Sequence, residues 1–293
     1  MKKSITRRTF FNTALAAGAL SAAAGTQGGK RSLASAADDP GFPLVDYHVH
    51  LDKLVTLEKA LQLSKERGVK FGIVEHAGTK ENRYPGLLSS DEDLKRYIAM
   101  LEGKPVFKGV QAEGLDWPTC FSKDVVAGLD YVLSDALTFP DEKSGKRIEL
   151  WRPGVAFPDK QDFMDRYTKF NVEVMAREPI DIIANPTFLP ESLEGEFDAL
   201  WTDARMTKVI EAAVKYGVAI EINSRYRLPR MNFLKMAKKA GAKFSLGSNI
   251  HGLDVGKLDY CVGAIKQLDL TKKDIFTPAP RGKKPIEVRR FAS

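Results

Sequence analysis

The sequence contains very little cysteine, since Cys120 and Cys261 are the only two in 293 residues. Two cysteines this far apart could pair in an oxidising compartment, but they exclude the disulfide framework of a small secreted domain. Beyond residue 36 the sequence also lacks any apolar run near the ~18 residues that cross a membrane. The stability of the folded chain must therefore come from side-chain packing, and a hydrophobic content of 43% can supply a large core.

Acidic residues are absent from the first 36 positions, which carry six basic side chains instead. These are Lys2, Lys3, Arg7, Arg8, Lys30 and Arg31. An apolar run of small residues over 10–24 and an A-x-A pattern over 34–36 complete the features of an export signal. The stretch "TRRTFF" matches the twin-arginine class. We therefore expect residues 1–36 to be a twin-arginine-type signal peptide, with an ordinary secretory or membrane-anchoring segment as the alternative.

This leader accounts for most of the positive charge. The whole chain has a formal net charge of +7, and removing the six basic residues of the leader leaves +1. A nearly neutral mature protein has no overall electrostatic attraction to nucleic acid, so we expect no nucleic-acid partner. We expect the twin-arginine export machinery as a partner, a periplasmic or secreted location, and no stable membrane insertion after cleavage.

From residue 44 onward, short apolar runs alternate with longer amphipathic stretches, which is typical of repeated β–α units. Strands are predicted at 44–50, 69–76, 105–114, 130–137, 180–186, 218–224 and 242–249. No linker divides this series, so residues 37–293 are predicted to form one α/β domain, a parallel (β/α)7 TIM-like barrel. The polar stretch over 137–158 is predicted to be a long loop across one end of the barrel.

Polar side chains collect at the carboxyl ends of the predicted strands, where barrel enzymes place their chemistry. His48 and His50 end the first strand on one side, because strand side chains alternate with a period of two. The later strand ends carry Glu75, His76, Glu113, Asp135, Asn185, Glu221, Asn223, Asn249 and His251. Imidazole and carboxylate groups are the usual ligands of zinc, manganese and iron. A single histidine there is more often structural, but all four histidines of the chain share this position.

Two acidic residues at these strand ends have a second interpretation. Glu75 could orient His76 rather than bind an ion, and Glu221 could cap a helix or pair with Arg225. We therefore leave Glu75 and Glu221 out of the predicted ligand set.

Basic residues lie near the same predicted rim. Lys53 follows the first strand, and Arg225, Arg227 and Arg230 follow the sixth. Guanidinium groups hold phosphate or carboxylate through paired hydrogen bonds, so the pattern favours a small anionic substrate. We expect Lys53, Arg227 and Arg230 to bind that substrate, and the alternative is a solvated basic loop.

Five segments, in order, resemble motifs of the PHP superfamily (polymerase and histidinol phosphatase). They are "DYHVHLD", "GIVEHAG", "QAEGLD", "EINSRYRLP" and "SLGSNIHGLDVGKL". The resemblance implies a distorted β/α barrel with up to three divalent metals. Carried over residue by residue, His48, His50 and Glu113 match ligands of a first metal, with Glu113 bridging to a second. His76 and His251 match ligands of a third.

The sequence departs from the family pattern at the remaining ligand positions. Asn249 stands where an aspartate is usual, Asp135 and Asn185 stand where histidines are usual, and Thr56 lies near the place of another missing histidine. Two of these changes, Asp135 and Asn185, replace an imidazole nitrogen with an oxygen ligand, and Asn249 replaces a charged carboxylate with a neutral amide. Oxygen ligands shift the preference of the site toward harder metal ions. We expect one or two divalent ions, Mn, Zn or Mg.

The sequence thus favours an exported metal-dependent hydrolase that acts on a phosphoester through metal-activated water. His76 or His251 would protonate the leaving group, and Arg225 would stabilise developing negative charge. Two alternatives remain open at this point. One is a barrel with a degenerate metal site that binds a ligand or partner without catalysis, and the other is hydrolysis of a different ester or an amide.

Overall fold

The computed structural model describes residues 40–142 and 145–289. The predicted signal peptide at 1–36 lies outside these residues. The strands are, in chain order, β1 (Val45–His50), β2 (Lys70–Val74), β3 (His76–Gly78), β4 (Phe107–Glu113), β5 (Tyr131–Asp135), β6 (Thr138–Asp141), β7 (Lys146–Glu149), β8 (Ile182–Ala184), β9 (Ala219–Asn223) and β10 (Phe244–Gly247).

The helices alternate with these strands along the chain. They are α1 (Leu57–Arg67), α2 (Asp91–Leu101), α3 (Lys123–Val126), α4 (Lys160–Arg177), α5 (Phe197–Leu200), α6 (Asp203–Tyr216), α7 (Met231–Lys239), α8 (Asp259–Gln267) and α9 (Pro285–Val288). Short 3-10 turns cover Trp117–Cys120 and Glu194–Glu196. Within the described part of the chain, none of these helices combines the length and the apolar character that a membrane span requires.

The strands close into a parallel barrel. β1 pairs with β2 and β10, and the ring continues from β10 through β9, β8, β5 and β4. β2 and β3 both pair with β4, so they form one strand that is interrupted at Glu75. Counted this way the barrel has seven parallel strands, which confirms the predicted (β/α)7 TIM-like fold.

Local sequence signals explain where the main helices begin and end. Thr56 and Thr202 cap the N-termini of α1 and α6 by accepting a backbone hydrogen bond three residues on. Gly68 and Gly217 end these two helices in the left-handed conformation, which glycine adopts at little cost. Asp159 caps α4, which begins and ends where the amphipathic pattern predicts. These helices pack their apolar faces around the barrel.

Apolar side chains fill the amino-terminal half of the barrel interior. This layer contains Tyr47, Val74, Tyr131, Leu133, Ile182, Ala184 and Ala219, with Phe107 and Phe276 packed against it. Tyr131 fits because Gly72 and Gly109 lack a Cβ that would overlap its ring. The amino end of the barrel is therefore plugged.

A β-bulge in β1 separates this apolar layer from a polar layer above it. The pairing of β1 with β2 shifts register between Asp46 and Val49, so β1 holds one extra residue. As a result Tyr47 packs in the apolar layer while His48, its neighbour, contacts polar groups of the barrel interior. Bulges re-aim side chains in this way beside active sites.

The structure differs from the predicted elements in three places. The stretch over 137–158 is not only a loop, because β6 and β7 form an antiparallel hairpin within it. The strand predicted at 69–76 is broken at Glu75. The amphipathic pattern over 255–268 predicts a helix, whereas α8 covers only Asp259–Gln267. The hairpin matters most for function, because it carries Trp151 to the mouth of the barrel.

Candidate active site

A cleft of about 260 Å³ opens at the carboxyl end of the barrel strands. His50, His76 and His251 line it, together with Tyr84, Pro85, Gln111, Asp135, Leu137, Trp151, Asn185, Arg225, Tyr226 and Asn249. His48 lies beside them, with its ring centroid 5.2 Å from that of His50. The structure therefore brings together all four histidines that the sequence places at strand ends.

His48 is held by a buried carboxylate. Its Nδ1 lies 2.6 Å from Oε1 of Glu221, and both side chains are almost fully buried. Burial alone would lower the pKa of His48, but the charge and hydrogen bond of Glu221 outweigh it and the pKa is raised. Burial likewise opposes ionisation of Glu221, yet His48 lowers the pKa of that carboxyl. Glu221 thus fixes the ring and directs its Nε2 toward the cleft.

Gln111 lies between two of the imidazoles. Its Oε1 is 3.1 Å from Nε2 of His48 and 3.1 Å from Nε2 of His50. Its Nε2 donates to Asp135 over 3.3 Å. Sequence analysis missed Gln111 and named Glu113, which lies two residues further along β4. The alternation of side chains along β4 could have identified Gln111, because residues two apart on a strand point to the same side and Glu113 was already assigned to the site.

Glu113 contacts a different histidine. Its Oε1 lies 2.7 Å from Nδ1 of His76, and Thr138 donates weakly to its Oε2 over 3.4 Å. Burial raises the pKa of Glu113 to about 8 and lowers the pKa of His76 to about 4. Burial thus favours a neutral pair. The flat face of the His76 ring stacks on the ring of Tyr84, and the two ring centroids are 3.9 Å apart.

Asp135 and Asn185 meet at the far wall of the polar layer. Asp135 accepts hydrogen bonds from Gln111 and, over 3.5 Å, from Asn185. Burial, followed by the charge of Glu113, raises the pKa of Asp135 to about 7. Asn185 has a φ of 49° and donates its backbone N–H to Glu221 over 3.1 Å.

One group of side chains has the spacing of a metal site. Ligand atoms of His50, Glu75 and His76 all lie within 4.8 Å of one another. Two imidazole nitrogens and a carboxylate oxygen form a donor set that suits zinc or manganese. Glu75 lies at the break between β2 and β3, and sequence analysis had left it outside the ligand set. The prediction that the other residues bind metal stays a prediction.

His251 and Asn249 lie on the loop that follows β10. The His251 ring stacks with that of His50 at a centroid distance of 5.3 Å. Asn249, at a φ of 46°, donates its backbone N–H to the His48 carbonyl over 3.1 Å. Burial, and then Arg225, lowers the pKa of His251. His251 is therefore a largely neutral imidazole on the open side of the cleft.

The predicted basic residues are divided between two places. Arg225 lines the cleft and donates to the Asn249 carbonyl over 3.2 Å. Arg227 and Arg230 instead line a neighbouring groove, where Arg230 pairs with Asp198 over 3.0 Å. Lys53 is exposed on the loop after β1 and is not among the residues that line the cleft. Of the four predicted basic residues, Arg225 is the one that lies in the cleft with the histidines.

Aromatic side chains contribute to the cleft as well. Trp151 and Tyr226 line the cleft, whereas Trp117 is fully buried in the core. Cys120 and Cys261 are both free thiols, so the fold does not depend on a disulfide.

The fold and the cleft together define an α/β barrel with a histidine-lined polar site at the carboxyl ends of its strands. No protein-family model matches the chain, and no curated protein matches it in sequence. Among solved structures, the chain resembles histidinol phosphate phosphatase from Lactococcus lactis, determined with zinc, L-histidinol and phosphate. The TM-score is 0.57 at 14% identity, over 85% of this chain and 99% of that one. At this identity the likeness shows the fold.

Two further solved structures match with TM-scores below 0.5, which is too low to support a structural relationship. A citrate lyase from Burkholderia xenovorans gives a TM-score of 0.40 at 13% identity, covering 76% of this chain and 77% of that one. A mannanase catalytic domain from Streptomyces gives 0.36 at 15% identity, covering 78% and 73%.

Proposed function

We propose that this protein is a metal-dependent hydrolase of small phosphomonoesters. The observation that carries the proposal is the convergence of imidazole and carboxylate ligand atoms of His50, Glu75 and His76 within 4.8 Å at the barrel mouth. Arg225 lies in the same cleft and offers a guanidinium to an anion. The shared fold with a phosphatase that binds zinc and phosphate supports the reaction class.

The chain offers two adjoining donor sets. His50, Glu75 and His76 form one, and Nε2 of His48 and of His50 with Oε1 of Gln111 form the other. The donor chemistry fits Zn or Mn in the first set, while the amide oxygen of the second fits Mn or Mg better. Because His50 belongs to both, one or two ions is the expected number. A divalent ion, when bound, supplies Lewis-acid polarisation of a phosphoryl oxygen and lowers the pKa of water.

The remaining side chains of the cleft bind substrate and move protons. Arg225 neutralises negative charge on the phosphoryl oxygens. His251, whose pKa is lowered by burial and by Arg225, is neutral and can take a proton from the attacking water. It can then return that proton to the oxygen of the leaving alcohol. Tyr84 and Trp151 cover one side of the cleft and exclude bulk water.

A second function is favoured by one observation. Gln111 places a neutral amide between His48 and His50, and its hydrogen bonds satisfy both Nε2 atoms. A barrel that has lost catalysis could keep this network and use the cleft to bind a ligand. Under this alternative the cleft binds an anion without turning it over.

The test combines metal analysis with turnover. Purified mature protein is loaded with Mn²⁺ or Zn²⁺, and bound metal and release of phosphate from a general phosphomonoester are measured on the same samples. We expect His50→Ala, which removes a ligand from both donor sets, to lower metal content and activity together. Arg230→Ala is the matched control, because Arg230 lies in the neighbouring groove. Stable metal-free protein that binds phosphate without turnover would favour the ligand-binding alternative.

We also propose that the protein is exported folded through the twin-arginine machinery. The support is the sequence of the leader, with Arg7 and Arg8 before an apolar run and an A-x-A pattern. Replacing Arg7 and Arg8 together by Lys should abolish export, measured by fractionation of expressing cells. Continued export of the double variant would indicate an ordinary secretory signal.

A further inference from the structure

Five aromatic rings form a continuous stack along one wall of the cleft. In order along the stack the rings are His251, His50, His76, Tyr84 and Trp151. Neighbouring ring planes in this stack are inclined by 28° or less. The first three rings are histidines of the candidate site. Tyr84 and Trp151 have no role in the proposed metal chemistry, and their arrangement calls for a separate explanation.

The spacing between neighbouring rings is widest at the Trp151 end of the stack. Tyr84 lies in face contact with His76, at a centroid distance of 3.9 Å, whereas Trp151 is 6.1 Å from Tyr84. A planar ring between two faces needs about 7 Å, which is two carbon contact distances of about 3.5 Å. A shift of Trp151 by about 1 Å would therefore admit one ring between it and Tyr84. We call the space between these two side chains the aromatic wedge.

The two walls of the wedge are tied to each other. Tyr84 lies on the loop after β3, and Trp151 follows the β6–β7 hairpin. Arg147 of β7 donates to the Asn82 side chain of the Tyr84 loop over 3.1 Å. Asn82 in turn donates to the backbone carbonyls of Thr79 and Glu113. This cross-link connects the two segments that carry the walls before any ligand arrives, so only the small shift of Trp151 remains to be made on binding.

We propose that the organic part of the substrate is a single planar aromatic ring, bound in the aromatic wedge, so that the substrate class is small aryl or arylmethyl phosphates. The proposal rests on the proposed phosphomonoesterase function and names the substrate of the same site. Arg225 holds the phosphate end and the wedge holds the ring end. A volume of about 260 Å³ lies below the about 300–1,000 Å³ of sites for drug-sized ligands, so the cleft fits one ring and one phosphate.

Two substrates of matched shape test this assignment. Benzyl phosphate and cyclohexylmethyl phosphate both release a primary alcohol, so the chemical step is similar and only the flatness of the ring differs. An aromatic stacking pair contributes about 0.5–1.5 kcal/mol, so we expect kcat/KM to favour benzyl phosphate by about 2- to 10-fold. Trp151→Leu should remove this preference and Trp151→Phe should restore it. Tyr216→Leu, at a half-buried position at the end of α6 outside the cleft, is the control and should keep the wild-type ratio.

Binding measurements separate the substrate class from the hydrolase function. The non-hydrolysable 2-phenylethylphosphonate and 2-cyclohexylethylphosphonate are titrated calorimetrically into the same metal-loaded proteins. Turnover of both esters with equal kcat/KM in the wild type would overturn the aromatic class and leave the hydrolase function standing. Absence of turnover, with tighter binding of the phenyl phosphonate that Trp151→Leu abolishes, would support the aromatic class and refute the hydrolase. Equal binding of the two phosphonates without turnover would refute both.

Discussion

Replacing Glu221 by glutamine should change which nitrogen of His48 carries a proton. Every neighbour of the Glu221 carboxylate donates to it. Oε1 accepts from Nδ1 of His48, and Oε2 accepts from the Asn185 backbone and the Asn223 side chain, both over 3.1 Å. A glutamine keeps the two bonds of Oε2 only if its NH₂ group faces Nδ1 of His48. That nitrogen must then accept a hydrogen bond, so the single proton of a neutral His48 ring is held on Nε2, the nitrogen that must be free of a proton to bind a cation.

A protonated Nε2 has no lone pair for a cation, and this sets the size of the expected effect. Partners that orient a ligating histidine typically change metal affinity by about 10- to 100-fold. On the free-energy scale this is about 1.4–2.7 kcal/mol. The fold should be less affected, because glutamine has nearly the shape of glutamate and all hydrogen bonds of the site can still be made.

The measurement is the Kd of Mn²⁺ or Zn²⁺ by isothermal titration calorimetry, with circular dichroism to show that the variant is folded. Glu178→Gln is the matched control, since Glu178 is also a buried carboxylate but lies at the end of α4 outside the cleft. We expect Glu178→Gln to bind metal like the wild type. A folded Glu221→Gln protein with wild-type affinity would show that His48 does not contribute Nε2 to an ion.

Three further predictions address other parts of the barrel. Gln111→Glu puts a carboxylate between Nε2 of His48 and His50, so divalent-metal affinity should rise by at least 10-fold, and an unchanged Kd would exclude an ion at that position. Gly247→Ala places a Cβ against Glu221 and His48, so the free energy of unfolding, measured by denaturant titration, should fall by about 1–3 kcal/mol. Gly195→Ala is the control and should keep the wild-type stability, because the space around Gly195 is open. Burial raises the pKa of Asp181 to about 7, so the folded state binds a proton more tightly than the unfolded state. Its contribution is complete below about pH 4 and is lost as pH rises to about 7, by up to about 1.4 kcal/mol per pH unit, and Asp181→Asn should flatten this part of the stability profile.

The periodic parts of the fold could be predicted from sequence because burial imposes them. A parallel strand covered on both sides must be apolar along its length, and each helix needs one apolar face, so seven units were visible in order. Breaks in the pattern were not visible. The interruption at Glu75 and the hairpin of β6 and β7 depend on how neighbouring segments meet, and the polar sequence over 137–158 only indicates a surface segment.

The candidate site was predictable in its location but not in its contacts. Strand ends place His48 and His50 at one mouth of the barrel, and a period of two puts them on one side. Which residue of β4 meets their imidazoles depends on the stagger between strands. Gln111 lies at that level and Glu113 lies one step nearer the opening, where it bonds His76. Arg225 and Arg227 lie on the loop after β9, where the alternation of a strand no longer applies, and they line different cavities although they are two residues apart.

The apolar plug at the amino end of the barrel has a consequence for the route by which small molecules reach the cleft. Tyr131 donates its hydroxyl to the Tyr47 carbonyl over 2.8 Å and blocks any passage through the barrel axis. Under the proposed function, substrate and products would therefore use the same opening at the carboxyl end of the barrel. Inorganic phosphate, which Arg225 would hold in the same place as the phosphoryl group of the substrate, should then inhibit turnover competitively.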